Sequence, residues 1–497
     1  MTAPESTPSD RWRVAVIGAG LSGLAAAHRL LEVAAEADRG VDLTLFEAGP
    51  QVGGSIGTRR IGEYLVETGA DSFITNKPWA VDLSRRLGIE DRLIPTDETY
   101  RRSWVLRNGK PARVPDGFTL LAPAKVWPVL RSPILSVRGK LRLGLEYFVP
   151  RRTDNADESL ASFVRRRFGR EALDRLIQPL VGGIYTSDPK KLSLQATMPR
   201  FIDMERQHRS LIRAMRSNPA ESAGSSGAHA SGARYGLFAT FAGGMSELID
   251  ALKDRVCESA NLRMETKVAA LDRSGATDAA PGWKVTLEGG EIETYDAVIL
   301  ALPAYRSADL LAGTDAQLAD NLRGIEYASS AIVVTGHKLA DVAHQLDAFG
   351  LVIPAIEQRK ILAVSFASRK FPGRAPEGRV ELRTFVGGAL QPELLECSDD
   401  EMVSLVRSEL QAILGVSGEA DFAAVNRYVR AMPQYHVGHV ALVEQIEKRT
   451  ADHHGLELAG NAYHGVGVPD CIHSGETAAE RLFAESCRTL SASGCKD

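Results

Sequence analysis

Gly18, Gly20 and Gly23 stand at Gly-x-Gly-x-x-Gly spacing, with Ala19, Leu21 and Ser22 between them. Glycines so placed can turn backbone N–H groups, and the positive end of a helix, toward a pyrophosphate. Gly18 permits the tight turn, Gly20 lets the backbone approach the phosphates, and Gly23 lets helix and strand pack closely. Glu47 and Ala48 follow a second apolar run at 41–46, and Glu47 is an acceptor for ribose hydroxyls. Gly53 and Gly54 come just after it. A second glycine pair there lets the chain pass close to a flavin dinucleotide; a nicotinamide-only domain does not need one. These residues are therefore read as an FAD site. His439 and His464 carry side chains that titrate near neutrality, but a lone histidine beside a cofactor more simply packs or donates a hydrogen bond. Cys471 is read as structural, because a reactive thiol needs an electropositive, accessible setting. No Ser/His/Asp set is credible, so no catalytic side chain is assigned and flavin N5 carries the chemistry.

Such residues need a scaffold. The run 14–17 reads as a strand, 22–35 as an Ala/Leu-rich helix and 41–46 as a second strand, the opening of a βαβ unit. Residues 67–73 should return toward the cofactor. Asn108-Gly109 marks a hairpin within 101–116. Residues 117–197 look mainly helical, and 120–147 form a basic amphipathic stretch with Lys125, Arg131, Arg138, Lys140 and Arg142. Residues 217–232 are Ser/Ala/Gly-rich and read as a flexible loop. A helix should open after 241–245 and run to about Cys257. Strands are expected at 266–271 and 283–287, and a buried strand within 296–303 should add to the nucleotide-binding sheet. A final helix is expected at about 470–486. The fold class is α/β: a Rossmann-like FAD domain, an α+β substrate domain and a helical subdomain. The FAD domain would comprise 13–100, 245–305 and 450–490. The substrate domain would comprise 101–116, 198–244 and 306–449, the helical domain 117–197, and residues 1–12 a disordered tail.

With 497 residues, the chain suggests two to three domains. Its 59 basic and 63 acidic residues leave a formal charge of −4, against nucleic-acid binding as a general role. Five cysteines at 257, 397, 471, 487 and 495 show no metal-ligand spacing, so they read as free thiols in a reducing compartment and no metal is expected. Residues 1–10 lack the segments of a secretory signal, and no run of 18 apolar residues occurs. A cytoplasmic location is expected.

Residues 459–472 resemble the C-terminal flavin motif of the oxygen-dependent porphyrinogen oxidases, FAD enzymes of haem synthesis acting on protoporphyrinogen IX or coproporphyrinogen III. Residues 67–73, the stretch 179–185 with Asp188 and Leu192-Ser193, the Gly-Gly-Met turn at 241–245, and Met432-Pro433-Gln434-Tyr435 with Gly438-His439 resemble further family segments. The resemblance implies a p-hydroxybenzoate-hydroxylase-like FAD domain. It implies six-electron oxidation of a porphyrinogen in three flavin cycles, each giving hydrogen peroxide from O2. It places Val268 over the adenine through its main chain, and puts Gly460, Gly467 and Val468 at the flavin. A side chain at Gly467 would push the ring system away, and the helix beginning there would point its positive end at the flavin. Ile332 and Leu351 are expected as walls of a large apolar substrate pocket. The family usually carries Arg where this chain has Gln51; Arg59 or Arg60 is the suggested replacement. Many relatives anchor a propionate with an Arg where this chain has Ser103, so the adjacent Arg102, with Arg101, is the expected anchor. A homodimer, a neighbouring haem-pathway enzyme and peripheral contact with the inner face of the cytoplasmic membrane are the expected partners. An amine or carotenoid oxidoreductase, or a non-catalytic flavin-binding scaffold, are the other readings of the same residues.

Overall fold

A strand of uninterrupted apolar residues suits the middle of a parallel sheet, where both faces are covered. The run 14–17 is such a stretch, within the strand Trp12–Ile17, and Val14, Ala15 and Val16 are wholly buried. In the computed structural model, which describes residues 11–493 apart from 117, 120, 124–125, 218–236 and 275–281, it is the central strand of a five-stranded parallel sheet. The strand order is Ala260–Arg263, Val41–Phe46, Trp12–Ile17, Ala297–Leu300, Leu456–Leu458. The sheet thus draws on widely separated parts of the chain. The strand expected within 296–303 joins it in parallel register, Val14 opposite Ala297. The edge strand Ala260–Arg263 was not expected; its alternating polar residues give no apolar signal. The strands expected at 266–271 and 283–287 occur as Val268–Ser274 and Gly282–Leu287, and with Ile292–Tyr295 they form a separate antiparallel sheet. Residues 1–10 and nearly all of the 217–232 loop lie outside the described residues.

Two long helices cover one face of the parallel sheet. Leu21–Glu36 follows the glycine turn, and Val468–Ser493 closes the chain against it. Their crossing is close because Gly475 has no side chain: a Cβ there would stand 2.2 Å from the Ser22 carbonyl oxygen.

A second, seven-stranded sheet runs in the order Phe422–Pro433, Tyr327–Lys338, Arg379–Gly387, Ala363–Phe366, Gly350–Val352, Ser103–Arg107, Lys110–Arg113. The Asn-Gly hairpin joins the last two strands, with Asn108 and Gly109 both at positive φ as such a turn requires. One face of this sheet packs on the helix Asp399–Leu414 through Leu351, Val364 and Leu382 against Met402, Val406 and Leu410. A helical region around Leu160–Arg167, Gln178–Tyr185 and Pro199–His208 has its own core. A fully buried ion pair, Arg167 with Glu146, ties that region together.

Candidate functional site

The glycine turn is built as its spacing demands. Gly18 has φ 101°, and a Cβ there would lie 2.6 Å from the Ala301 carbonyl oxygen. A Cβ on Gly23 would lie 1.8 Å from the Gly18 carbonyl oxygen. A Cβ on Gly20, by contrast, would meet only the Gly54 Cα, 3.9 Å away. The helix that begins at Leu21 has no side-chain cap and no acid in its first turn. Its positive end is therefore left free for an anion.

The residues after the second strand close over this turn. The Glu47 carboxylate accepts hydrogen bonds from the Ala19 N–H at 2.9 Å and the Gly49 N–H at 2.8 Å. The Gly53 N–H donates to the Ala19 carbonyl at 2.8 Å. Gly53 and Gly54 both hold positive φ. The Thr266 N–H donates to the Glu47 carbonyl, bringing the buried start of the Val268–Ser274 strand alongside. Gly18, Gly20, Leu21, Ser22, Gly23, Glu47, Ala48, Gly53, Gly54 and Val268 thus lie around the carboxyl ends of the parallel strands, where ligands of such sheets bind.

The C-terminal motif enters the same region. The Ala459 N–H donates to the Leu300 carbonyl, and the Gly460 N–H to Ser474 Oγ at 3.0 Å. Gly467 precedes Val468 at the start of the closing helix, and a Cβ at Gly467 would meet only Asp470 and Pro469 of its own loop. Asp470 accepts from the Gly467 N–H at 3.2 Å and pairs with Lys77 at 2.5 Å. These features fit a flavin dinucleotide: a bare helix end, an acid beside the turn, and a side-chain-free approach at the far loop.

Two further motifs meet there. The Tyr435 hydroxyl donates to the Asn461 carbonyl at 2.7 Å and accepts from the Gly465 N–H at 2.8 Å. Gln434 bonds to Ser187 and to the Tyr185 carbonyl. Tyr185, at the end of the Gln178–Tyr185 helix, is pushed up to about 12 by burial, with Asp470 adding to the rise. Val352, Val466 and Tyr185 pack on the same apolar cluster.

The chain belongs to the flavin containing amine oxidoreductases, in the branch of the porphyrinogen oxidases. That family matches residues 21–483. The chain is 32% identical over 466 residues to a coproporphyrinogen III oxidase of Bacillus subtilis (strain 168), covering 94% of this chain and 96% of the relative. It is 31% identical over 504 residues to protoporphyrinogen oxidase 2 of Arabidopsis thaliana, covering 96% and 95%. A solved chain from Exiguobacterium sp. 255-15, assigned as a protoporphyrinogen oxidase, superposes with a TM-score of 0.83 at 26% identity, covering 95% of this chain and 99% of that one. The enzyme is an oxidoreductase and its cofactor is FAD.

Strand parity decides which wall residues face this site. Ser103, Gly350, Ser365, Arg383 and Val334 form one row across the seven-stranded sheet. Arg383 pairs with Asp71 at 2.9 Å and donates to the Gly69 carbonyl, so this row faces the segment that returns to the cofactor. The next row on that face is Val105, Val352, Ala363, Phe385 and Ile332. Ile332 therefore lies on the site's side. Leu351 does not: it is fully buried on the opposite face, against the Asp399–Leu414 helix, and its neighbours Gly350 and Val352 take the inward positions. The expectation for Arg102 is corrected in the same way. Its guanidinium lies 3.7 Å from Asp347, which also accepts from the Trp104 indole on that far side. Arg101 is exposed beside Glu98.

The histidines and Cys471 are accounted for. His439 is lowered to about 4 by burial, stacks on Tyr435 and meets the Tyr463 carbonyl at 3.1 Å. His464 pairs with Glu447 at 2.8 Å. Burial pushes the Cys471 thiol up to about 12, so it stays protonated.

A buried charged cluster escaped the sequence reading. Asp71 is gripped by Lys370 at 3.0 Å as well as by Arg383, and these cations hold its carboxyl well below the usual range despite burial. Glu67 lies 3.6 Å from Arg374 and accepts from the Met245 N–H and the Thr58 hydroxyl. Glu381 is fully buried beside them, and neither of its carboxyl oxygens has a hydrogen-bond partner. The signal was present: Glu381 and Arg383 stand two apart in the strand Arg379–Gly387, interleaved with the apolar Val380 and Leu382.

Proposed function

We propose that this enzyme oxidises a porphyrinogen to the porphyrin in haem synthesis, with coproporphyrinogen III as its substrate. The observation that carries the reading is the meeting of the C-terminal loop, Tyr435, Tyr185 and Val352 in one apolar cluster, with the Tyr435 hydroxyl bonded to Asn461 and Gly465 of that loop. A largely apolar surround with few polar groups suits a large apolar macrocycle with a charged fringe. The relatives named coproporphyrinogen III oxidase, at 32–33% identity, support the choice of substrate. Bound FAD would accept two electrons in each of three cycles and return them to O2 as hydrogen peroxide.

The protein's task is positioning. Gly18, Gly20, Ser22 and Gly23 hold the cofactor's phosphates by backbone N–H groups, Glu47 its ribose, and Gly467 and Val468 admit its reacting ring. The aromatic product is so stable that no strong base is required, and His439, low in pKa and fully engaged, is not one. The test is anaerobic mixing with coproporphyrinogen III or protoporphyrinogen IX. Loss of flavin absorbance is expected before air is admitted, and growth of porphyrin fluorescence, which needs six electrons removed, once O2 reoxidises the flavin; both should be faster with the first. A yellow protein that bleaches with neither, or with an amine instead, overturns the reading.

The division into a three-part FAD domain, a substrate domain and a helical domain is part of this proposal. So is a peripheral contact with anionic lipid. Trp127, Val137, Leu141, Leu145 and Phe148 are exposed on 127–148, with Val137 at 73%. Arg131, Arg138 and Lys140 accompany them, and Glu146, the single acid of that stretch, is buried with Arg167. An exposed apolar face whose solvent-facing charges are all positive suits a negative membrane surface. Co-sedimentation with phosphatidylglycerol vesicles, lost in Trp127→Ser/Phe148→Ser, is the expected result. Equal binding of the variant, or a vesicle-independent homodimer or complex with a neighbouring haem-pathway enzyme on this face, refutes it.

A further inference from the structure

We infer that Lys77 tunes the redox balance of the flavin by pairing with Asp470 at the head of the closing helix. This rests on the placement of the reacting ring at Gly467 and Val468. The helices Leu21–Glu36 and Val468–Ser493 run side by side in the same direction. Ser22 lies against Gly475, Arg29 bonds Glu480 at 2.7 Å, and Arg39 bonds Ser486 at 2.6 Å. Ser22 belongs to the turn that holds the phosphates. The closing helix starts at Val468, well before Gly475. At about 1.5 Å of rise per residue, its head overhangs the phosphate turn by about 10 Å. That overhang is of the same order as the chain that separates the phosphates of FAD from its ring. Asp470 stands in the first turn of this overhang.

Asp470 faces the site more than bulk water. Its side chain is 12% exposed, and its carboxylate accepts from the Gly467 N–H at 3.2 Å. A Cβ on Gly465 would collide with the same carboxyl group. Its charge also reaches Tyr185, whose pKa it helps to raise. Lys77 meets Asp470 at 2.5 Å, from the chain that passes the cofactor at 67–73 and leads into the helix Trp79–Arg86. Among the described residues no other cation pairs with Asp470. His473 stacks on Trp79, and burial lowers its pKa, so it adds little charge at neutral pH. An FAD ring that takes up two electrons and one proton gains a negative charge. Charges beside the ring are a lever on that step. A lone carboxylate would oppose it and would offset the positive end of the helix. Lys77 cancels that carboxylate.

The test is the midpoint potential of the bound flavin, titrated anaerobically against a reference dye, which needs no porphyrinogen. A unit charge on the order of 10 Å away, at an effective dielectric constant of about 20, changes such an equilibrium about tenfold. Lys77→Met should therefore lower the reduced-to-oxidised ratio at a fixed applied potential about tenfold, a downward shift of about 30 mV for a two-electron couple. Asp470→Asn should raise the ratio by a similar factor, and the double variant should return close to wild type. A pair that only fastens the loop would weaken FAD binding without moving the two potentials in opposite directions. Both potentials within about twofold of wild type, about 9 mV, or shifts of the same sign in both variants, overturn the inference. Gly467→Leu separates this from a wrong placement of the ring. If its FAD affinity and visible spectrum match wild type, the placement fails. If they change and the Lys77 and Asp470 potentials do not, this inference alone fails.

Discussion

Replacing Glu381 by Gln should make the protein progressively more stable, relative to wild type, as pH rises. Glu381 lies inside the seven-stranded sheet's inward face, with no solvent contact and no hydrogen bond to either oxygen. Burial pushes its carboxyl up to about 8; Arg383 and Arg374 pull the other way, while Glu67 and Asp71 add to the rise. The ordinary value is 4.5. Between these two values the folded state keeps a proton that the unfolded chain has released. Stability therefore falls as pH rises through this window, and the full penalty is present above the folded pKa. From about pH 5 to about pH 9 this one group costs on the order of 4 kcal/mol, at about 1.4 kcal/mol per unit. Gln is neutral throughout and nearly the same shape, so it carries no such slope. The assay is urea unfolding of wild type and Glu381→Gln with excess FAD at several pH values. Other titrating groups, such as His439 and Glu457, are common to both proteins and cancel in the difference. The gap between the two stabilities should widen with pH by a few kcal/mol. Two curves that stay parallel to within about 1 kcal/mol would refute the claim that Glu381 is held protonated at neutral pH.

Three other perturbations follow from the same structure. Gly475→Ala places a Cβ 2.2 Å from the Ser22 carbonyl oxygen and 3.0 Å from the Ala26 N, forcing apart the two long helices; a loss of about 1–3 kcal/mol is expected, read as earlier FAD release on heating. Glu146→Gln removes one of the two acids on the wholly buried Arg167 and leaves it Glu205 at 3.4 Å, which should cost about 1–3 kcal/mol in urea unfolding. Glu47→Ala strips the acceptor from the Ala19 and Gly49 N–H groups and from the ribose site, so FAD affinity measured by flavin fluorescence should fall at least about tenfold while far-ultraviolet circular dichroism is retained.

The middle of the parallel sheet was legible because its strands are mainly apolar. The 14–17 run, the 41–46 run and the 297–300 strand could be read without reference to the rest of the chain. The edge strand Ala260–Arg263 could not, because an edge needs only partial burial and its sequence is half polar. Gly475 was likewise silent. A glycine inside a helix carries no local signature of the partner backbone that requires it, and that partner, Ser22, lies hundreds of residues away.

The wall of the site shows where sequence reading stops. Choosing the right strand proved easier than choosing the right face of it, since a one-residue error in a strand moves a side chain through the sheet. Ile332 and Leu351 come from strands of one sheet and are equally apolar, yet the register puts one beside the cofactor segment and the other beneath a helix. What fixes the parity is the pairing of Arg383 with Asp71, a contact between the sheet and the segment at 67–73. A buried charge is a better guide to facing than a buried methyl group, because it must find a partner and the partner's location is informative.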